Sequence, residues 1–173
     1  MKTIICQPKE AIAKFVSWAN KEEHWPWENF SALGLLGDDG ALVAGVLYNH
    51  YHHPSIMMHV GAISGRQWLN RAFLFAAFDY PFNQLGVNRV TALVPKKNKV
   101  ARKFDEHLGF RLEGVMRKAL PDDDMLVFGM LRDECRWLNM RPSAPRPNCN
   151  DGGSVNPQFS GNSRAATRIS ANA

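Results

Sequence analysis

Residues 85–110, "LGVNRVTALVPKKNKVARKFDEHLGF", restrict the fold of this chain more than any other stretch. "NRVTALVP" is a short, β-branched, apolar run closed by proline, and it reads as a buried strand. Immediately afterwards the period changes. Val100, Phe104 and Leu108 recur at i, i+4 and i+8, which predicts an amphipathic helix. Asn98 stands where a side chain can cap its first turn, and Gly109 where the helix should stop. Lys96, Lys97, Lys99, Arg102 and Lys103 surround that apolar stripe, and each taken singly reads as solvated surface.

The remaining pattern supplies the other elements. "PKEAIAKFVSWANKEE" puts Ala11, Ile12, Phe15, Val16, Trp18 and Ala19 on one helical face. Two apolar runs flank Gly37, Asp38, Asp39 and Gly40, which predicts a hairpin. "SIMMHVGAI" reads as a strand. From about Arg66 to Leu85 the spacing of Trp68, Leu69, Ala72, Phe73, Ala76, Phe82 and Leu85 is helical, with Pro81 loosening the last turn. "FRLEGVMRKAL" and "DMLVFGMLRDE" read as two strands joined at Pro121–Asp124. The order helix, hairpin, strand, helix, strand, helix, strand, strand predicts an α+β fold: a single mixed, mostly antiparallel sheet flanked by helices.

Length and charge bound the class. With 173 residues and 45% apolar content, one core is expected, over residues 1–138. Residues 139–173 are rich in Pro, Ser, Gly, Asn and Arg without apolar period, so a disordered tail is expected there. Its arginines allow weak, nonspecific nucleic-acid contact. No run is long enough to cross a bilayer, and a soluble, cytoplasmic protein is expected. Cys6, Cys135 and Cys149 are far apart and lack ligand spacing, so free thiols are expected and no zinc site. His50, His52 and His53 alternate faces in an extended chain without an acidic or cysteine partner, and no metal is expected there either. The net charge is +5, and the excess lies in the middle of the chain, where Lys or Arg occupies 66, 71, 89, 96, 97, 99, 102, 103, 111, 117 and 118 against acids at 79, 105, 106 and 113. Such charge suits nucleic acid, an anionic surface or a phosphorylated ligand.

The element order, with Asn88, Arg89, Ala92 and Val94, then Asn98, then Leu108, Gly109, Phe110, Glu113, Gly114 and Arg117, resembles the GNAT superfamily of acyl-CoA-dependent N-acyltransferases, especially its RimJ/RimL-like branch. The resemblance implies acetyl-CoA as co-substrate, an amine acceptor, no metal, and room for a homodimer. It assigns cofactor contacts to Val60, Ala62, Gly65, Arg66, Gln67, Trp68, Leu69, Asn70, Arg71, Asn98, Ala101 and Arg102. In the family a Gly-rich loop at a helix N-terminus binds the pyrophosphate. Here that helix is expected to open at "SGRQWLNRAF", and Trp68 stands where the family has glycine, with Gly65 left as the residue of close approach.

The same resemblance assigns the chemistry. Matching "HVGAIS" to the branch puts His59 at the usual glutamate, as base. Asp105 falls where the family often has a tyrosine acid; a carboxylate donates a proton at neutral pH only if buried. Glu23, Trp25 and Trp27, within "EEHWPWENF", are expected to wall the acceptor, against a simple packing role. Glu113 and Arg117 either shape that pocket or pair across the sheet. Three readings stay open: an N-acetyltransferase acting on a small molecule, protein or peptide amine; a GNAT-like binding or regulatory protein that has lost acyl transfer; and a nucleic-acid-associated member. Removal of residues 141–173 is expected to leave the melting temperature almost unchanged, and a large drop in thermal denaturation would show that the tail docks.

Overall fold

The structure, a computed structural model, describes residues 2–21, 27–65 and 68–140. Seven strands form one sheet in the order β1-β2-β3-β4-β5-β7-β6. β1 (Thr3–Ile5) is a three-residue edge strand that the sequence pattern does not reveal. α1 (Lys9–Asn20) follows, then the expected hairpin of β2 (Ser31–Leu36) and β3 (Leu42–His52), whose turn is closed by the Gly37 amide donating to the Ala41 carbonyl. β4 (Ser55–Ala62) pairs antiparallel with β3 and parallel with β5 (Arg89–Pro95). β5 then pairs antiparallel with β7 (Asp123–Leu131), which carries β6 (Arg111–Leu120) at the other edge. The sheet is therefore mixed and mostly antiparallel, as expected.

Strand periodicity sorts the side chains into two cores. On one face Leu47 packs with Ile12, Ala13 and Val16 of α1. Its neighbour Tyr48 points the other way, into the larger core, and donates to the Ala77 carbonyl of α2 (Arg71–Asp79) at 2.6 Å. α3 (Lys99–Leu108) closes that second face through Leu108, which is 2% exposed.

α2 is shorter than expected. Its helix opens at Arg71 rather than near Arg66, because Asn70 caps it: the Asn70 Oδ1 accepts from the Phe73 amide at 2.8 Å. Trp68 and Leu69 lie before that cap, and their apolar character reflects burial of an irregular segment rather than a helical face. At the other end the chain widens into a π-helical turn over Tyr80–Gln84, with Pro81 at its start. That is the loosening Pro81 predicts. The buried Asp79 carboxylate accepts from Asn83 at 2.8 Å and Gln84 at 3.0 Å and holds the widened turn.

The expected 139–173 tail lies, beyond Met140, outside the described residues. Cys6 is disulfide-bonded, which corrects the expectation of three free thiols. Cys135 is free, and burial pushes its thiol up to about 11. Among the described residues no helix is long and apolar enough to cross a membrane, and no group of three ligating side chains could hold a metal ion.

Two glycines let α1 approach the sheet. Gly45 and Gly61 are cross-strand partners, and a Cβ on Gly61 would come within 2.8 Å of the Val16 Cα and 3.0 Å of its carbonyl oxygen. Backbone cannot swing aside as a side chain can. Gly61→Ala should therefore destabilise the protein by about 1–3 kcal/mol through overpacking, read as a lower denaturation midpoint in urea; an unchanged midpoint would mean that α1 is free to shift.

Candidate functional site

β4 and β5 pair for only three residues. Ser55, Ile56 and Met57 lie beside Arg89, Val90 and Thr91, and pairing then ends. A cavity of about 590 Å³ opens from that point. Its flanks are the residues that follow on each strand: Met58 to Ile63 without Gly61 on one side, and Ala92 to Pro95 on the other. Ser64, Gly65, Trp68 and Leu69 line it after β4, and Asn98 with the α3 residues Val100, Ala101, Phe104, Asp105 and Leu108 lines it after β5. Because the strands part, side chains from both faces of the sheet reach the same cavity.

Local sequence explains each wall. Asn98 caps α3 as expected, its Oδ1 accepting from the Ala101 amide at 3.0 Å, and Gly109 ends the helix at φ 110°. The stripe predicted for α3 runs from core to solvent: Leu108 is buried, Phe104 half-buried at the cavity, and Val100 is 81% exposed at its mouth. Trp68, 8% exposed, rests on Phe104 at 5.2 Å between ring centroids. The indole is thus a wall of the cavity and does not fill it. Gly65 adopts φ +101° and has open space where a Cβ would lie.

Of the expected cofactor residues, Val60, Ala62, Gly65, Trp68, Leu69, Asn98 and Ala101 line this one cavity. Arg66 and Gln67 lie outside the described residues. Asn70 is taken up in capping α2, and Arg71 begins that helix, so the first-turn amides of Arg71 and Ala72 have no acceptor within the helix. Arg102 donates to the Lys96 carbonyl at 3.3 Å, and its buried Nε has no partner among the described residues. Lys96 and Lys97 are engaged elsewhere: Lys96 pairs with Asp124 at 2.9 Å, and Lys97 bonds Asp122 and Asp123. They tie the β6–β7 turn to the start of α3.

Glu113 also settles on pairing. Arg89 on β5 reaches over Gly129 of β7 to a two-point bond with Glu113 of β6, one arm at 2.9 Å. A Cβ at Gly129 would collide with both groups, so that glycine is the gap through which the pair closes.

The two expected catalytic groups are on the cavity wall, and burial changes the chemistry of each. Asp105 is 7% exposed, and desolvation, helped by the neighbouring Glu106 charge, raises its carboxyl from 3.8 to about 7. A carboxyl so buried can hold a proton near neutral pH. His59, on β4, is lowered from 6.5 to about 4 by burial and by His50. Its Nε2 lies 3.0 Å from the Asn49 Oδ1, and Trp27 packs edge-on to its ring at 4.8 Å. Trp27 thus reaches the site, while Glu23 and Trp25 lie outside the described residues. Sequence reasoning missed Asn49, whose signal was a lone asparagine in the apolar run "GVLYNHY".

The mixed sheet with a parted parallel pair, and capped helices following both strands of that pair, is the architecture to compare with known proteins. No family model matches the chain, and no curated protein matches it by sequence. Solved structures do match in fold. One is a spermidine N-acetyltransferase SpeG chimera from Vibrio cholerae and a second source, 18% identical, with 80% of this chain and 99% of that chain covered at a TM-score of 0.63. Another is Vibrio cholerae spermidine/spermine N-acetyltransferase SpeG in complex with manganese ions, 17% identical, with 82% and 97% covered at 0.62. A third, a dodecameric spermidine N-acetyltransferase from Vibrio cholerae, is 16% identical, with 76% and 94% covered at 0.61.

The shifts of Asp105 and His59 act oppositely on stability. A raised carboxyl favours the folded state at low pH, and that contribution is lost as pH rises from about 4 to about 7. A lowered imidazole makes stability fall as pH drops from about 6.5 through about 4. Asp105→Asn removes the first effect and keeps the second. Relative to wild type, its unfolding free energy should improve between pH 4 and 7 by on the order of 4 kcal/mol, from about 1.4 kcal/mol per pH unit. Urea unfolding across that range reads it; a difference independent of pH would mean that Asp105 is not desolvated.

Proposed function

We propose that residues 1–138 form an acetyl-CoA-dependent N-acetyltransferase of RimJ/RimL-like type, which moves an acetyl group to the primary amine of a small molecule, protein or peptide in a ternary complex. The observation that carries this reading is the cavity between the parted β4 and β5, with Asp105 and His59 both on its wall. The residues present fit the cofactor. The open amides at the start of α2 are donors, and Gly65 without a Cβ gives space, suited to phosphate oxygens. The apolar flanks, Val60 and Ala62 on one side and Ala101 and Phe104 on the other, suit a pantetheine arm beside Asn98.

The bound co-substrate would supply an activated acyl thioester; the chain supplies placement and proton transfer. As the amine nitrogen bonds to the carbonyl carbon and the carbon–sulfur bond breaks, one proton must leave nitrogen and one must reach sulfur. A neutral His59 is too weak a base to deprotonate a free alkylammonium ion. It suits taking the proton once bond formation has made the nitrogen acidic. Asp105, with its carboxyl raised to about 7, holds a proton at neutral pH that it can give to the departing thiolate. Trp27, packed on the His59 ring, stands at the acceptor side.

The fold neighbours acetylate spermidine according to their names, which makes polyamines the first acceptors to try. Turnover should be screened against polyamine, aminoglycoside, small-amine and peptide panels. Acetyl-CoA should bind with measurable heat and raise the melting temperature. Absence of both would favour the second reading, a binding protein that has lost acyl transfer, for which Trp68 in place of glycine is the supporting feature. Asn98→Ala should weaken acetyl-CoA binding roughly threefold to tenfold by calorimetry, through one lost hydrogen bond and a loosened cap; unchanged affinity would restrict Asn98 to capping.

A further inference from the structure

Asn49 is a buried polar residue for which neither the family resemblance nor the proposed reaction has a task. It lies in β3, 4% exposed, directly after the buried run from Val43 to Tyr48. Burying a side-chain amide costs free energy unless its polar atoms find partners. Its Oδ1 lies 3.0 Å from His59 Nε2 on the adjacent strand. A carbonyl oxygen can only accept, so a hydrogen bond between these two atoms requires the hydrogen to sit on Nε2. The neutral ring then carries its lone pair on Nδ1. Trp27 also packs edge-on against the ring, and is itself fixed by donation from its Nε1 to the Ser17 Oγ at 2.7 Å. An amide and an indole thus clamp one imidazole, whose residue lines the cavity.

We propose that Asn49 is a positioning residue that fixes His59 as the Nε2–H tautomer, leaving Nδ1 as the one proton acceptor that the ring offers the cavity. The role in turnover rests on the acetyl-transfer reading; the tautomer does not. Histidine carries both chemistries, and only the partner of one nitrogen decides which nitrogen accepts. An Asn49 amide turned the other way would present hydrogen to Nε2 and place the ring proton on Nδ1, the wrong arrangement for this role.

The test is nitrogen NMR of the full chain with ring-labelled histidine, which reads the protonation of each nitrogen directly. In wild type, His59 should show hydrogen on Nε2 and a bare Nδ1. Asn49→Asp, which still accepts, should keep that tautomer. Asn49→Leu, which cannot accept, should populate the Nδ1–H form, and its acetyl-transfer kcat should fall about tenfold or more with little change in the KM for acetyl-CoA. A wild-type His59 carrying its proton on Nδ1, or an unaltered tautomer in Asn49→Leu, overturns the assignment. Should Asn49→Leu not fold, the wild-type and Asn49→Asp spectra decide it. Wild-type protein with the expected tautomer but no acetyl transfer to any amine overturns the proposed reaction and leaves the tautomer assignment standing.

Discussion

Three residue pairs join β4 to β5, and the features of the cleft follow from the loss of a fourth. Parallel strands that separate leave backbone donors and acceptors facing a gap, and such groups are satisfied by a ligand or by water. The gap is therefore apolar in its side chains and polar along its edges. It is also where α2 and α3 bring their N-terminal regions, because each helix follows the strand that forms one flank. Anion-favouring helix starts and unpaired strand edges converge at one place. An alternative arrangement with full β4–β5 pairing would keep the cores but erase this convergence.

Burial does the second part of the work, by choosing which protonation states are cheap. Between about pH 4 and pH 7 Asp105 and His59 are both uncharged, a carboxylic acid and a free imidazole on the walls of one cavity. Neither is held there by an opposite charge; desolvation is the leading cause for both. Each is ready for one proton transfer in one direction. A cavity that excluded water less well would ionise the acid at neutral pH, and its capacity to donate would be lost.

Much of this was legible in the residues. Asn98, the stripe from Val100 to Leu108, and Gly109 fix α3 because capping, amphipathic spacing and a left-handed stop are local requirements. The hairpin at Gly37–Gly40 and the loosening at Pro81 are local for the same reason. The start of α2 misled because Trp68 and Leu69 sit at helical spacing while serving a buried irregular segment, and the cap at Asn70 was a weak signal beside them. β1 is three residues long, too short to show a period. The acidity of Asp105 was legible only as a condition, since its burial depends on packing beside strands such as β4 that lie far back along the chain. Asn49 could be seen as an oddity in an apolar strand, but its partner ten residues on belongs to the pairing of β3 with β4.

The far end of α2 has a bearing on the cleft. Past Asp79 the widened turn turns the Tyr80 hydroxyl toward the opposite part of the sheet, where it donates to the Ser31 Oγ at 2.7 Å, while Tyr48 grips the Ala77 carbonyl from below. The helix is thus moored at its stern and open at its bow. Ser31 opens β2, so two tyrosine hydroxyls tie the C-terminal end of α2 to the sheet and leave its first turn as the end with unspent amides.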